Sequence, residues 1–275
     1  MNGIEFYKMS GSGNDFILID NRKGQMGSNH RSEFAKMVCR RRVSVGADGL
    51  IIIEASDTAD FRWQFFNADG SEADMCGNGA RCAARFAHLI GVSGSRMTFE
   101  TGAGLIQAEV DREMVRIKMT DPRDIDLAEE VRVDSRMESI HRINTGVPHT
   151  VLVVDDLETV PVESIGPLIR YHRRYAPEGT NVNFIQRCHD GTIAIRTYER
   201  GVEAETLACG TGSVAGAIIA SQLFGMDMPI RMIVRSGLPL EVSFTTIGNE
   251  YKNVYLKGDA RIIYQGCMGK DGYDN

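Results

Sequence analysis

Two of the six cysteines share a setting that can do chemistry. Met75-Cys76-Gly77-Asn78-Gly79-Ala80 and Ala208-Cys209-Gly210-Thr211-Gly212-Ser213 are both Cys-Gly-x-Gly steps that run into a small, apolar, helix-like segment. The two cysteines stand 133 positions apart, close to half of the 275-residue chain. A helix N-terminus leaves backbone N–H groups outside the helical ladder and carries partial positive charge. Glycine there lets a ligand approach the backbone closely, so an anion such as an α-carboxylate can sit on the helix end. The same field lowers a cysteine pKa from its reference of roughly 8.5. One such motif can hold a carboxylate and present a base beside it. Two thiols facing one carbon, across a cleft in a duplicated fold, can take a proton from one side and return it to the other.

Cys39, Cys82, Cys188 and Cys267 lack this setting and read as inert core or surface thiols. No Cys-x-x-Cys pair occurs, and the step from Cys76 to Cys82 fits no common zinc spacing. A metal site is therefore not expected, and reduced thiols in a reducing compartment are the default. A lone Cys-Gly before a helix is more often a packed small residue than a base. Two at matched positions, each with flanking glycines, reverse that reading.

The elements that must position the two steps also recur. Shifted by the cysteine offset, Gly13-Asn14-Asp15-Phe16 falls on Gly146-Val147-Pro148-His149, and Gly46 to Ile52 falls on Gly179 to Ile185. Glu72 meets Glu205, Asn67 meets Arg200, and Gly91 meets Gly225 one position further on. This punctuation marks an internal duplication. In each copy a strand (Phe16–Ile19; Thr150–Val154) leads to a helix (Ser32–Arg42; Pro161–Tyr175), with Ser32 as N-cap and Pro161 in the first turn. Two strands follow (Leu50–Glu54 and Phe61–Phe66; Phe184–Arg187 and Thr192–Tyr198), then the cysteine helix. Three short strands close each half: Met97–Glu100, Leu105–Val110 and Val115–Met119, then Ile230–Arg235, Leu240–Phe244 and Asn253–Lys257.

Val214 to Ala220 is apolar all round, as in a helix buried on every side. The fold class is therefore mixed α/β: two pseudo-symmetric domains, each a curled sheet around a central helix. The expected N-terminal domain is 1–120, completed by a C-terminal strand within 261–275, and the second domain is 121–260. Pro122 and the charges around it mark the boundary.

A net charge of −6 argues against a nucleic-acid partner, and Arg40-Arg41-Arg42 reads as a solvated helix end. No apolar run approaches the roughly 18–20 residues of a membrane span, and residues 1–14 lack a signal-peptide layout. A cytoplasmic location without membrane attachment is expected.

Lys8 to Phe16, Phe66 to Cys82, and Arg196 to Gly201 with Ala208 to Gly212 closely resemble diaminopimelate epimerase, in the same motif order over essentially the whole chain. The resemblance implies an isomerase without cofactor or metal that interconverts LL- and meso-diaminopimelate in lysine and cell-wall precursor biosynthesis, and a homodimer. It makes Cys76 and Cys209 the thiolate/thiol pair of a two-base reaction. His149 and Glu199 then lie near the reacting centre, setting thiol protonation and engaging the substrate ammonium. Gly77, Asn78, Gly210 and Thr211 supply helix-end N–H groups for the reacting carboxylate. Asn14, Asn67, Asn181 and Arg200 orient the substrate, with Arg200 clamping the distal carboxylate.

Read without the resemblance, Asn14 and Asn67 are equally apt as turn residues, and a lone histidine such as His149 is more often structural. The alternative function is cofactor-free racemisation of proline, hydroxyproline or histidine on the same fold. A substrate with one carboxylate has less need of Arg200. The chain departs from the family pattern at Val147, where many members carry Asn, and at Gly49, where some carry Gln. Asn183 is a candidate to replace one of these polar contacts to the distal end of the substrate.

Overall fold

β-Branched and aromatic runs become strands in both halves of the computed structural model, which describes residues 3–273. The chain forms two units. One runs to Ile117 and takes back the chain from Gly258, and the other is Lys118–Lys257.

The first unit contains β1 (Ile4–Gly11), β2 (Asn14–Asp20), α1 (Arg31–Val38), β3 (Gly49–Glu54), β4 (Phe61–Asn67), α2 (Gly77–Leu89), β5 (Arg96–Thr101), β6 (Gly104–Asp111) and β7 (Met114–Lys118). β1 is antiparallel to β2, β2 parallel to β3, and β3 antiparallel to β4. β4 is then parallel to β5, β5 antiparallel to β6, and β6 antiparallel to β7.

The second unit contains β8 (Arg123–Val133), β9 (Arg136–Asn144), β10 (Pro148–Val153), α3 (Val162–Arg170), β11 (Asn181–Arg187), β12 (Ile193–Glu199), β13 (Ala204–Thr206), α4 (Gly210–Phe224), β14 (Ile230–Ile233), β15 (Pro239–Ile247) and β16 (Glu250–Asp259). From β9 the pairings repeat the first unit in order: antiparallel to β10, parallel to β11, antiparallel to β12. β12 is parallel to β14, which begins the antiparallel run through β15 and β16. The helices fall at the same points of both series. β17 (Arg261–Met268) pairs antiparallel with β1 in the first unit.

Each sheet curls around its cysteine helix. α2 packs on β1, β2, β3 and β6, while α4 packs on β9, β10, β11, β12, β14 and β15. α4 can be surrounded because Val214 to Ala220 offers no polar side chain, and every one of those residues is buried. Each fully buried Ile or Val there contributes roughly 1.5–3 kcal/mol. Gly216 allows the closest approach, since a Cβ on it would stand 3.0 Å from Met232 Cε and 3.1 Å from Ile185 Cγ2. Gly225, in the left-handed region at φ 62°, stops the helix and donates its N–H to Ser221 O.

Several expected boundaries change. Ser32 does not cap α1: the cap position is His30, and Ser32 Oγ donates to Gly70 O at 2.7 Å. The helix starts earlier because buried Arg31 is anchored at its first position by Glu54 at 2.7 Å. It stops at Val38 rather than Arg42, where Gly46 and Ala47 turn back to donate to Val38 O and Cys39 O. Pro161 is the N-cap of α3 rather than a first-turn residue, and Arg173–Tyr175 is a separate 3-10 turn. The expected domain limits at 120/121 and 260/261 lie close to Lys118 and Gly258, where the units divide. The charged stretch past Pro122, where the boundary is expected, begins the β8–β9 hairpin. Arg41 is exposed, as expected, but lies past the end of α1, and from there it pairs with Asp15 at 2.5 Å and Asp48 at 2.9 Å.

Candidate active site

Cys76 is the N-cap of α2, and its Sγ accepts a hydrogen bond from Gly79 N at 3.4 Å. Extended backbone at Cys76 (φ −144°, ψ 114°) turns the side chain back over the first helical turn. Gly77 and Asn78 open the helix, so their N–H groups lie outside its i to i−4 ladder. At the same sheet end β2 begins with Asn14, β3 with Gly49, and β4 finishes with Asn67. Asn78 Nδ2 donates to Asn14 Oδ1 at 2.6 Å, and Asn14 Nδ2 donates to Asp48 Oδ2 at 3.0 Å. Asn67 Nδ2 donates to Ser71 Oγ at 3.0 Å within the glycine turn.

The second unit repeats the cap. Cys209 Sγ accepts from Gly212 N at 3.4 Å and lies 3.5 Å from Thr211 Oγ1. Ser213 Oγ donates to Cys209 O at 2.9 Å, and Thr145 Oγ1 donates to Thr211 O at 3.1 Å. Both contacts hold the first turn of α4. His149 at the start of β10 pairs in register with Asn181 at the start of β11. Asn181 Oδ1 accepts from Arg200 N at 2.9 Å, and its Nδ2 donates to Pro148 O at 2.9 Å. Glu199 ends β12 and accepts Thr206 Oγ1 at 2.9 Å. Arg200 Nη1 reaches Glu178 O at 3.2 Å.

Burial and charge set the ionisable groups apart. Burial, with the positive charge of Arg200, pushes the His149 imidazole down to about 3, so it is uncharged at neutral pH. Burial raises the Glu199 carboxyl, against the hydrogen bond from Thr206. Cys39 is pushed up to about 12 by burial, and Cys82 is raised further for the same reason. All six cysteines are thiols without disulfides. Among the described residues no group of three or more His, Cys, Asp or Glu side chains is arranged to hold a metal ion.

The structure groups the first-unit candidates Asn14, Asn67, Cys76, Gly77 and Asn78 at one sheet end. It groups His149, Asn181, Glu199, Arg200, Cys209, Gly210 and Thr211 in the second unit. Asn183 does not fill the role considered for it. The residue is fully buried, and its amide is spent on His149, Thr150 O and Thr197 Oγ1. Gly49 cannot become Gln without a shift, because a Cβ there would stand 2.6 Å from Phe65 Cε2 and 2.7 Å from Phe66 O. Glu205 braces its loop by a bidentate pair with Arg196, 2.7 Å on each arm.

Three supporting residues escaped the sequence reading. Asp48 holds Asn14, and its signal was its alignment two places before Leu50, opposite Asn181. Arg81, fully buried, donates to Asn78 Oδ1 at 2.9 Å and Ser12 Oγ at 2.7 Å. Its signal was its place inside the Cys-Gly-x-Gly helix. Thr145 carried no local signal.

The diaminopimelate epimerase family model matches residues 6–125 and again 142–263. Relatives called diaminopimelate epimerase include one from Aquifex aeolicus, 44% identical, covering 98% of this chain and 99% of the relative. Another, from Chlorobaculum tepidum, is 44% identical over 94% of this chain and 99% of its own length. Among solved structures, the Bacillus anthracis phenazine biosynthesis protein of the PhzF family superposes with a TM-score of 0.74 at 15% identity, covering 97% of this chain and 99% of that one. A hydroxyproline epimerase from Agrobacterium vitis gives 0.70 at 15% identity, over 99% and 95%. These two share the fold. With the family model matched in both halves and near full-length relatives at such identity, the chain belongs to the diaminopimelate epimerase family.

Proposed function

We propose that this protein interconverts LL- and meso-diaminopimelate by two-base proton transfer at the α-carbon, using no cofactor. Cys76 and Cys209 are the two acid/base groups. One, as thiolate, removes the α-proton, and the other, as thiol, returns a proton to the opposite face. The roles exchange with reaction direction. The observation that carries this reading is the matched capping geometry: each sulfur accepts the N–H three residues on at 3.4 Å, at the start of a duplicated helix. That hydrogen bond and the positive helix end favour the thiolate.

The α-proton of an amino acid is far less acidic than a thiol, so the developing carbanion needs stabilisation. N–H groups of Gly77, Asn78, Gly210 and Thr211 are the donors assigned to the reacting carboxylate. In a comparable site one such donor is worth about 3 kcal/mol. Asn14, Asn67, Asn181 and Arg200 orient the substrate. Glu199 engages its ammonium group, and uncharged His149 offers a hydrogen bond rather than a charge. The same reading places the enzyme in lysine and cell-wall precursor synthesis, in the cytoplasm, as a homodimer. No helix among the described residues is long and apolar enough to cross a membrane.

Incubation with LL-diaminopimelate in deuterated water under reducing conditions tests the assignment. Deuterium should enter the α-position as meso product forms, and Cys76→Ala or Cys209→Ala should abolish epimerisation. Absence of α-exchange in the wild-type protein overturns it. Exchange into proline or hydroxyproline instead would move the substrate assignment to the alternative class.

A further inference from the structure

Asn183 lies between the catalytic helix end and His149, and both the NH2 group and the carbonyl oxygen of its amide are engaged. Its Nδ2 stands 2.8 Å from Thr150 O and 3.0 Å from His149 Nδ1, while Oδ1 accepts Thr197 Oγ1 at 2.9 Å. The Thr150 carbonyl can only accept, so the NH2 group must point toward it, and the same NH2 group then faces the imidazole. An NH2 group is donor only. His149 Nδ1 must therefore present its lone pair, and the ring proton must reside on Nε2.

Packing enforces the arrangement. His149 and Asn183 are both fully buried. Gly212, whose N–H caps Cys209 Sγ, lies so close that a Cβ on it would stand 2.4 Å from Asn183 Oδ1. The first turn of α4, Asn183 and His149 thus form one packed series. Among the described residues His149 Nε2 is buried and has no hydrogen-bond partner. A buried donor left in that state costs about 1–3 kcal/mol, so the position favours an acceptor brought from outside.

We infer that Asn183 is a positioning residue that fixes His149 as the uncharged Nε2–H tautomer, making His149 a hydrogen-bond donor to the bound substrate and not a proton acceptor. The inference builds on the proposed epimerase activity for its catalytic meaning, but the tautomer itself is independent of it. Arg200 is the charged neighbour felt by the ring, and it opposes protonation. The remaining contacts named above, Asn183, Thr150 and Thr197, are neutral.

Nitrogen-15 NMR of histidine-labelled protein without substrate reads the tautomer directly. The wild-type spectrum should show His149 protonated on Nε2 and bare on Nδ1, unchanged from pH 5 to 9. Asn183→Asp should reverse the tautomer to Nδ1–H, because a carboxylate oxygen accepts where the NH2 group donated. Asn183→Leu, which removes the donor, should give a mixture and a kcat lower by roughly tenfold, with KM for diaminopimelate changed less. A wild-type signal from Nδ1–H, or a ring that titrates between pH 5 and 9, overturns the inference. The wild-type spectrum decides even where a variant fails to fold. An Nε2–H signal in a protein without epimerase activity would instead overturn the function and leave the tautomer assignment standing.

Discussion

Asn78 Nδ2 donates to Asn14 Oδ1 at 2.6 Å, so the second residue of the cysteine helix locks the side chain that opens β2. Asn14 cannot rotate to offer its NH2 group instead, because that group already meets the Asp48 carboxylate at 3.0 Å. Asn78 is itself fixed from behind by Arg81. Both asparagines are therefore preset before any ligand arrives, and the chain Arg81–Asn78–Asn14–Asp48 runs from the buried core to the sheet end.

Asn78→Ala removes the middle of that chain. It strips one acceptor from a fully buried guanidinium and leaves Asn14 Oδ1 without its donor. The expected cost is about 1–3 kcal/mol, visible as a melting temperature lower by a few degrees. KM for diaminopimelate should rise as Asn14 loses its fixed orientation. Unchanged melting and unchanged KM together would mean that the chain positions nothing.

The pH dependence of stability should carry two opposite signatures. In the folded protein His149 takes up a proton only near 3, whereas its ordinary value is 6.5. The unfolded chain binds that proton first, so His149 stabilises the fold above pH 6.5, and the contribution is lost as pH falls from 6.5 toward 3. Glu199 is shifted the other way, its folded carboxyl raised above the ordinary 4.5 by burial. Its contribution is complete below 4.5 and is lost as pH rises through the folded value. Urea unfolding between pH 4 and 7 should show a shallower acid-side loss in His149→Gln and a steeper one in Glu199→Gln. Equal slopes in wild type and both variants would remove the argument.

Much of the fold and of the proposed site is legible in the sequence for a physical reason: the residues proposed for the site are punctuation. Cys76, Cys209 and the glycines beside them stand where a strand becomes a helix, and such transitions need special residue types whatever lies around them. Apolar α4 announced its burial. The β8–β9 hairpin did not announce itself, because its strands bear many charges and its register breaks twice, between Arg123 and Asp126 and between Asp126 and Glu129. Bulges of this kind destroy the two-residue alternation by which a strand is recognised. Asn183 and Arg81 were missed in role for a different reason. Each is a polar residue at a fully buried position, and its function depends on partners distant in sequence: Thr197 for one, Ser12 and Asp259 for the other.

Thiol chemistry should separate the cysteines. Cys39 is pushed up to about 12 by burial, and Cys82 is also raised, so neither supplies thiolate at neutral pH. Brief treatment with iodoacetamide at pH 7.5, followed by peptide mapping, should leave both unmodified while Cys76, half-buried at its helix end, is alkylated. Activity should fall in step with Cys76 labelling, and Cys39→Ala should retain full activity. Inactivation that tracks Cys39 instead would contradict the assignment.

Gly212 provides the sharpest steric test. A Cβ added there would lie 2.4 Å from Asn183 Oδ1 and 3.2 Å from Cys209 Sγ. The corresponding glycine of the first helix is less confined: a Cβ on Gly79 meets Ile51 Cδ1 at 3.2 Å and Cys76 Cβ at 3.5 Å. Gly212→Ala must therefore displace the Asn183 amide, whose partners are fixed, whereas Gly79→Ala presses mainly on the end of an aliphatic side chain. Placed inside helices, both substitutions gain up to about 1 kcal/mol of helix propensity, so propensity does not distinguish them. Steady-state kinetics on the two variants should show the larger kcat loss in Gly212→Ala, by roughly tenfold or more, the penalty of about one broken buried hydrogen bond. A greater loss in Gly79→Ala would mean that the apolar wall around Cys76 constrains the reaction more tightly than the amide beside Cys209.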